Sequence, residues 1–228
     1  MKKWLVAILL LCAIPDSVLA EGGAVSAADP RAAEAGREIL RQGGSAADAA
    51  IAMMLALSVV EPQSSGIGGG GFMIHNDGRT NDIGTIDGRE TAPSSASPRL
   101  FLDAAGKPMP FIDAFAGGRS VGVPGNIALA ARASARWGKL RWPALFQPAI
   151  RLAENGYQVT PRLAEALSRL KAIWPDFPAA QAIYWQDGRP KQVGETVRNP
   201  ALAALLRTVA KKGARAFYSG RNANAIIG

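Results

Sequence analysis

Apolar and polar positions follow the helical period in most of the chain, and one segment is apolar on every side. Residues 46–60 contain only two polar side chains, Asp48 and Ser58, and a helix that is apolar all round is typically buried. Ser45 and Asp48 have the spacing of a capping box at the start of this helix. Because the residue before Pro62 is disfavoured in helical geometry, the helix is predicted to end just before it.

Two shorter segments have the pattern of extended chain and predict a β-hairpin. Residues 72–75 have strand character, 76–78 form the turn sequence Asn-Asp-Gly, and 83–87 resume an extended pattern. Residues 91–122 are rich in Pro, Gly, Ser and Asp, which predicts a long loop with a short helix near Leu100. Loops of this length in compact domains are often functional.

Further helices are predicted before and after this hairpin, most of them opened by proline or a capping residue and closed by glycine. A short hairpin is expected at 184–188, where Tyr-Trp precedes Asp-Gly. These patterns favour an α+β chain in which helices flank a small number of strands, without a clear domain boundary. The predicted helices other than the apolar one cover 30–42, 126–137, 142–154, 161–173 and 200–212.

The first twenty residues have the pattern of an export signal. Lys2 and Lys3 precede an apolar run over 4–14 that is too short to span a bilayer, and 18–20 supply small residues at cleavage spacing. The alternatives are a core helix or an uncleaved anchor. We predict cleavage after residue 20, a mature chain of 21–228 without a stable membrane anchor, and a periplasmic or secreted location.

Cysteine content and net charge limit the kinds of catalytic chemistry and of binding partner that the chain is expected to have. Cys12, the single cysteine, lies in the predicted leader, so the mature chain is expected to have neither a disulfide nor a thiol nucleophile. The formal net charge is +8, and most of the basic residues lie on predicted helix faces without interleaved aromatic residues. This distribution indicates solvated helix faces and no nucleic-acid partner.

A run of glycines follows the apolar helix, and residues 66–71 are called the glycine segment below. The segment spells the dinucleotide pattern G-x-G-x-x-G, and Asp87 lies where a ribose-binding acid would lie. That motif requires a strand before it and a helix after it, whereas the order here is reversed. Phe72 also stands where a phosphate loop requires lysine. We therefore predict a sharp bend with close backbone approach, and no cofactor.

Arg89 is the strongest candidate for a ligand-binding residue. Its guanidinium presents paired N–H donors that match a carboxylate, and the neighbouring Asp87 and Glu90 could fix its rotamer. The alternative is a structural ion pair among the three residues, which the spacing alone favours.

No other side chain has a recognisable catalytic context. His75 is the only histidine and cannot build a metal cluster alone. A triad with Ser64, Ser65 or Ser120 is formally possible, but no Gly-x-Ser-x-Gly sequence frames any of them. An exposed or core histidine on a strand is the favoured interpretation, and no metal site is predicted.

Taken in order, several segments resemble the amino-terminal part of γ-glutamyltransferases, also called glutathione hydrolases. The resemblance covers nearly the whole mature chain, and the glycine segment followed by Arg-Glu-x-Ala-Pro is its most specific part. The matching segments are residues 24–26, 44–49, 66–71, 87–93, 123–125 and 148–157.

The resemblance implies an N-terminal-nucleophile hydrolase with an αββα sandwich, here a partial one with an incomplete sheet pair. In such enzymes the precursor cuts itself into large and small subunits, and the new N-terminal threonine attacks the γ-amide of glutathione or of other γ-glutamyl compounds. The acyl group then passes to water, an amino acid or a peptide. Arg89 falls on the family arginine that binds the α-carboxylate of the glutamyl group, and no cofactor is implied.

The sequence departs from the family by ending before the catalytic threonine and its oxyanion-hole neighbours. Residues 21–228 are therefore expected to be the amino-terminal portion of a large-subunit domain, whose partners are the rest of that subunit and the small subunit. No catalytic residue is assigned, and the chain alone is expected to be inactive. The rival hypotheses are an acylase of the same superfamily acting on another amide, and a non-catalytic remnant of an interrupted gene.

Overall fold

The computed structural model describes residues 23–227, so the predicted leader and its cleavage site lie outside the described residues. Helices and short antiparallel strand pairs alternate in this range, which confirms a mixed α+β chain. Within the described range, no helix combines the length and the apolar character needed to cross a bilayer.

The helices account for most of the secondary structure in the described range. They are α1 (Pro30–Arg41), α2 (Ala46–Val60), α3 (Phe111–Phe115), α4 (Asn126–Trp137), α5 (Trp142–Asn155), α6 (Pro161–Arg169), α7 (Pro178–Tyr184), α8 (Pro200–Lys212), α9 (Arg215–Tyr218) and α10 (Arg221–Ile227). Short 3₁₀ turns lie at Gly118–Ser120 and Lys171–Asp176.

The strands form antiparallel pairs in three separate two-stranded sheets within residues 23–227. They are β1 (Gly71–Asp77) with β2 (Asp82–Gly88), β3 (Tyr157–Gln158) with β6 (Thr196–Val197), and β4 (Trp185–Gln186) with β5 (Arg189–Pro190). The two predicted hairpins are therefore confirmed, while the β3–β6 pair has no counterpart in the sequence analysis.

Helix α2 forms the centre of the core, as its apolar sequence predicts. It contacts α1, α4 and α5, and α5 in turn packs against α8. Ile51, Leu55 and Val60 of α2 are completely buried. The predicted capping box is also present, since Asp48 N donates to Ser45 Oγ and Ser45 N donates to Asp48 Oδ2.

The buried carboxylate of Asp48 does more than cap α2. Its Oδ2 also accepts hydrogen bonds from the backbone N–H groups of Lys139 at 2.8 Å and Leu140 at 3.1 Å. These two residues connect α4 to α5. The single side chain therefore fixes the start of α2 against the turn that follows α4.

The β1–β2 hairpin has one covered face and one exposed face. On the covered face His75 stacks on Trp137 of α4, with ring centroids 4.6 Å apart. The outer face carries Phe72, Ile74 and Ile83, which are 69%, 76% and 71% exposed. An apolar surface of this kind is typical of a sheet face that packs against another layer.

Two predicted helical segments differ from the structure. Residues near Leu100 form turns, and the short helix of the long loop lies at α3, where Pro110 with its fixed φ precedes the first helical residue. The helix predicted over 161–173 ends at Arg169 and continues as the 3₁₀ turn Lys171–Asp176. Pro175 lies inside this 3₁₀ turn, and because it has no N–H it cannot extend an α-helical ladder through the turn.

Candidate functional site

Arg89 lies at the open end of the hairpin, beside the glycine segment. It follows β2 directly, and Gly88 at the end of β2 is paired with Gly71 across the hairpin. The Arg89 side chain is 62% exposed, and its Nη1 lies 3.1 Å from Glu90 Oε2. Among residues 23–227 no hydrogen bond occupies its Nε–Nη2 edge, which leaves two parallel donors available to a carboxylate.

The residues that flank Arg89 have different roles. Asp87 was expected to help hold the guanidinium, but its Oδ1 accepts a hydrogen bond from the backbone N–H of Arg89 at 2.9 Å. Glu90 forms the ion pair, and its Oε2 is buried without a hydrogen bond from any described residue. Charge attraction, rather than a well-directed hydrogen bond, therefore holds the guanidinium near Glu90.

The glycine segment packs against Glu90 and the end of β2. A Cβ on Gly70 would lie 2.5 Å from the Gly88 carbonyl oxygen and 2.6 Å from both the backbone N and Oε2 of Glu90. Such distances are too short for real Cβ contacts. No glycine of the segment has a positive φ, so the missing Cβ, and not left-handed backbone, explains glycine here. The predicted close approach is confirmed.

The start of α4 holds the other side of the glycine segment. The Gly69 carbonyl accepts hydrogen bonds from the backbone N–H groups of Gly125 at 2.9 Å and Asn126 at 3.0 Å. The buried side chain of Asn126 adds a third bond, from Nδ2 to the Gly66 carbonyl at 2.7 Å. Sequence analysis missed Asn126, because a contact across 60 residues leaves no periodic pattern.

We expect Gly70→Ala to disturb the site and Gly68→Ala to be tolerated. The new methyl at position 70 would overlap Gly88 and Glu90, whereas a Cβ on Gly68 meets no atom within 4 Å. Overpacking of this kind costs about 1–3 kcal/mol, equivalent to a fall of roughly 2–12 °C in Tm. Thermal melts of the two variants test this difference. Equal melting temperatures would show that the bend has room for a side chain.

The other candidate side chains are engaged in packing or in unrelated hydrogen bonds. His75 lies on β1 and is stacked on Trp137, so the prediction of a strand histidine is confirmed. Ser64 Oγ accepts from Arg162 Nη2 at 3.1 Å, and Ser120 Oγ donates to the Phe115 carbonyl at 2.7 Å. Across residues 23–227 no hydrogen bond joins His75 to a serine, and no group of His, Cys, Asp and Glu has metal-binding geometry.

Comparisons with known proteins define the family. The profile of the gamma-glutamyltranspeptidase family matches residues 32–228. The chain therefore belongs to the gamma-glutamyltranspeptidase family. The glutathione hydrolase proenzyme of Bacillus subtilis (strain 168) is 41% identical over 204 residues, which are 90% of this chain and 35% of that protein. The chain thus spans about a third of the length of the curated relatives it matches.

Solved structures agree with this assignment. The gamma-glutamyltranspeptidase of Helicobacter pylori superimposes with a TM-score of 0.85 at 33% identity, covering 90% of this chain and 58% of that chain. A cephalosporin acylase from Bacillus halodurans matches with a TM-score of 0.71 at 32% identity, covering 86% of this chain and 37% of that chain. The described fold is thus shared by proteins with different named activities.

Proposed function

We propose that this chain forms part of an enzyme that cleaves the γ-glutamyl amide of glutathione and passes the γ-glutamyl group to water, an amino acid or a peptide. The observation that carries the proposal is the exposed guanidinium of Arg89, held at one corner by Glu90 beside the glycine segment. Its unoccupied edge matches the α-carboxylate of a γ-glutamyl group. Membership of the family supports the same reaction class.

In the proposed reaction Arg89 binds and orients the donor, and the nucleophile is the family's N-terminal threonine. That threonine is proposed to come from the part of the family's length that this chain does not span. Its hydroxyl oxygen attacks the amide carbon, and its own α-amine takes the proton. The amine leaving group departs with that proton, and water or an amine acceptor then attacks the γ-glutamyl ester carbon and releases the threonine hydroxyl. We assign no proton transfer to residues 23–227.

The exposed apolar face of the hairpin supports a larger assembly around this chain. Phe72, Ile74 and Ile83 form an outer surface that a second sheet could cover, as in the proposed αββα sandwich. The proposed partners are the rest of the large subunit and a small subunit produced by self-cleavage. The 228 residues alone are accordingly expected to give no turnover.

Two alternatives lead to different expectations. Similarity to the cephalosporin acylase favours an acylase acting on another amide as the second candidate. An acylase of that kind would not require a free α-carboxylate on the acyl group of its substrate. Arg89, in contrast, is suited to bind an α-carboxylate. A non-catalytic remnant would give no turnover with any donor.

The test compares two anilide donors with the protein expressed from its complete gene. L-γ-Glutamyl-p-nitroanilide carries the α-carboxylate, and 4-aminobutyryl-p-nitroanilide is the same acyl group without it. The proposal predicts turnover of the first with strong preference over the second, and release of glutamate from glutathione. Equal turnover of both donors would favour the acylase, and absence of turnover would favour the remnant.

We also propose export of the protein after removal of residues 1–20. The basic start, the short apolar run and the small residues at 18–20 support this proposal. Mass spectrometry of the exported protein is expected to find Glu21 at the amino terminus. A soluble protein that retains Met1 would contradict it.

A further inference from the structure

Tyr218 joins two parts of the chain that are about ninety residues apart. It is the last residue of α9, and its hydroxyl contacts the start of α4. The Tyr218 oxygen accepts a hydrogen bond from the backbone N–H of Ala128 at 3.0 Å and donates one to the Pro124 carbonyl at 2.9 Å. The hydroxyl therefore acts as both a donor and an acceptor toward one short segment, residues 124–128.

One of these hydrogen bonds meets a need of the α4 backbone. Ala128 lies in the first turn of α4, where N–H groups have no partner within the helix. Partial burial raises the pKa of the Tyr218 hydroxyl, which favours the protonated form that donates to Pro124. The adjacent ring of Phe217, with its centroid 5.1 Å from the Tyr218 ring, is buried in the core and limits movement of the tyrosine.

The segment held by Tyr218 is the one that holds the glycine segment. Gly125 and Asn126 donate to the Gly69 carbonyl, and a Cβ on Gly125 would overlap the carbonyl oxygen of Gly88. Gly88 immediately precedes Arg89. The tyrosine hydroxyl and the end of β2 thus contact the same turn, residues 124–126, and displacement of that turn would alter the backbone support of Arg89.

A second contact ties the same region to the residues after Arg89. Val123 N donates to the Thr91 carbonyl at 2.8 Å, and a Cβ on Gly122 would lie 2.8 Å from Glu90 Cβ. Residues 122–126 therefore contact the chain both just before and just after Arg89. Their position relative to α9 is set by the two hydrogen bonds of Tyr218.

We propose that Tyr218 is a positioning residue for substrate binding, which fixes the 124–126 turn and through it the backbone that carries Arg89 and Glu90. The inference rests on the proposed function, because it concerns how Arg89 is held for the α-carboxylate. Tyr218 touches neither donor nor reacting atoms in this account. Its effect is on the orientation of the guanidinium, and so on recognition of donors that carry an α-carboxylate.

The test is Tyr218→Phe in the protein expressed from its complete gene, with Tyr184→Phe as the matched control. Tyr184→Phe also removes a tyrosine hydroxyl, but this one faces Tyr157, and the Tyr184 ring packs near Trp174 with ring centroids 6.0 Å apart. Tyr218→Phe is expected to raise KM for the γ-glutamyl anilide roughly fivefold with kcat retained, the size of effect that loss of a neutral hydrogen bond gives. Its preference for the γ-glutamyl over the 4-aminobutyryl donor should fall by the same factor.

Hydrogen exchange measures the effect of Tyr218→Phe on the 124–126 turn independently of turnover. The amides of Gly125 and Asn126 are expected to exchange faster in Tyr218→Phe and at the wild-type rate in Tyr184→Phe. Unchanged exchange, or an equal loss of kcat/KM with both donors, would overturn the role of Tyr218. If instead Arg89→Ala leaves the donor preference unchanged, the proposed function itself fails, so the two failures are distinguishable.

Discussion

Arg89→Ala and Arg89→Lys are both expected to lower kcat/KM for a γ-glutamyl anilide, by between about 30-fold and 1000-fold. The range corresponds to about 2–4 kcal/mol, the cost of removing one partner of a charge-assisted pair. Lysine keeps the positive charge near Glu90 but loses the fork that binds a carboxylate through two parallel hydrogen bonds. The lysine variant is therefore expected to be impaired as well.

The matched control is Arg79→Ala. Arg79 is an exposed arginine in the turn of the same hairpin, paired only loosely with Asp77 at 3.5 Å. Exposed pairs of this kind contribute little, so this variant should retain wild-type kinetics. A thermal melt is needed for Arg89→Ala, because the variant leaves the Glu90 carboxylate without its cation. Wild-type kcat/KM in both Arg89 variants would remove Arg89 from the site.

Asp48→Ala is expected to lower the free energy of unfolding by about 3–5 kcal/mol, because three backbone N–H groups share the lost carboxylate oxygen. These are the N–H groups of Ser45, Lys139 and Leu140, and Asp48 itself is completely buried. Urea denaturation of the protein, followed by circular dichroism, measures the change.

Ser45→Ala separates the two functions of this cluster. It removes the Ser45 hydroxyl that accepts from Asp48 N, but keeps the hydrogen bonds that Asp48 Oδ2 accepts from the α4–α5 connection. Loss of a helix cap costs about 1 kcal/mol. If Asp48→Ala were no more destabilising than Ser45→Ala, the carboxylate would act only as a cap for α2.

Elements with strong local signals were predicted from the sequence. The start of α2 depends on Ser45 and Asp48, its end depends on Pro62, and the structure places α2 at Ala46–Val60. The β1–β2 hairpin likewise follows from alternation around an Asn-Asp-Gly turn. These signals are contained within a few neighbouring residues, so one sequence is enough to detect them.

Elements that depend on distant partners were not predicted. Strands β3 and β6 are two residues each and exist because Tyr157 and Val197 pair across the fold. Helix α3 and the turns near Leu100 lie in a loop whose composition carries no period. Local patterns contain no information on such pairings, since the partner residues are tens of positions away.

The residues of the candidate site also divide into those that the sequence predicts and those that it does not. Arg89 and the glycine segment were identified from sequence, because guanidinium chemistry and the absence of side chains are visible in single residues. Glu90, and not Asp87, is the ion-pair partner of Arg89, a distinction that depends on side-chain geometry that the sequence does not contain. Asn126 and Tyr218 were missed because each acts through backbone groups far away in sequence.

The most direct measurement is a crystal structure of the complete protein with L-glutamate bound. Our account predicts that the α-carboxylate accepts two hydrogen bonds from the guanidinium of Arg89, at about 2.7–2.9 Å, while Glu90 remains beside the guanidinium. A glutamate whose α-carboxylate lies on other residues, with Arg89 still paired only to Glu90, would contradict the account.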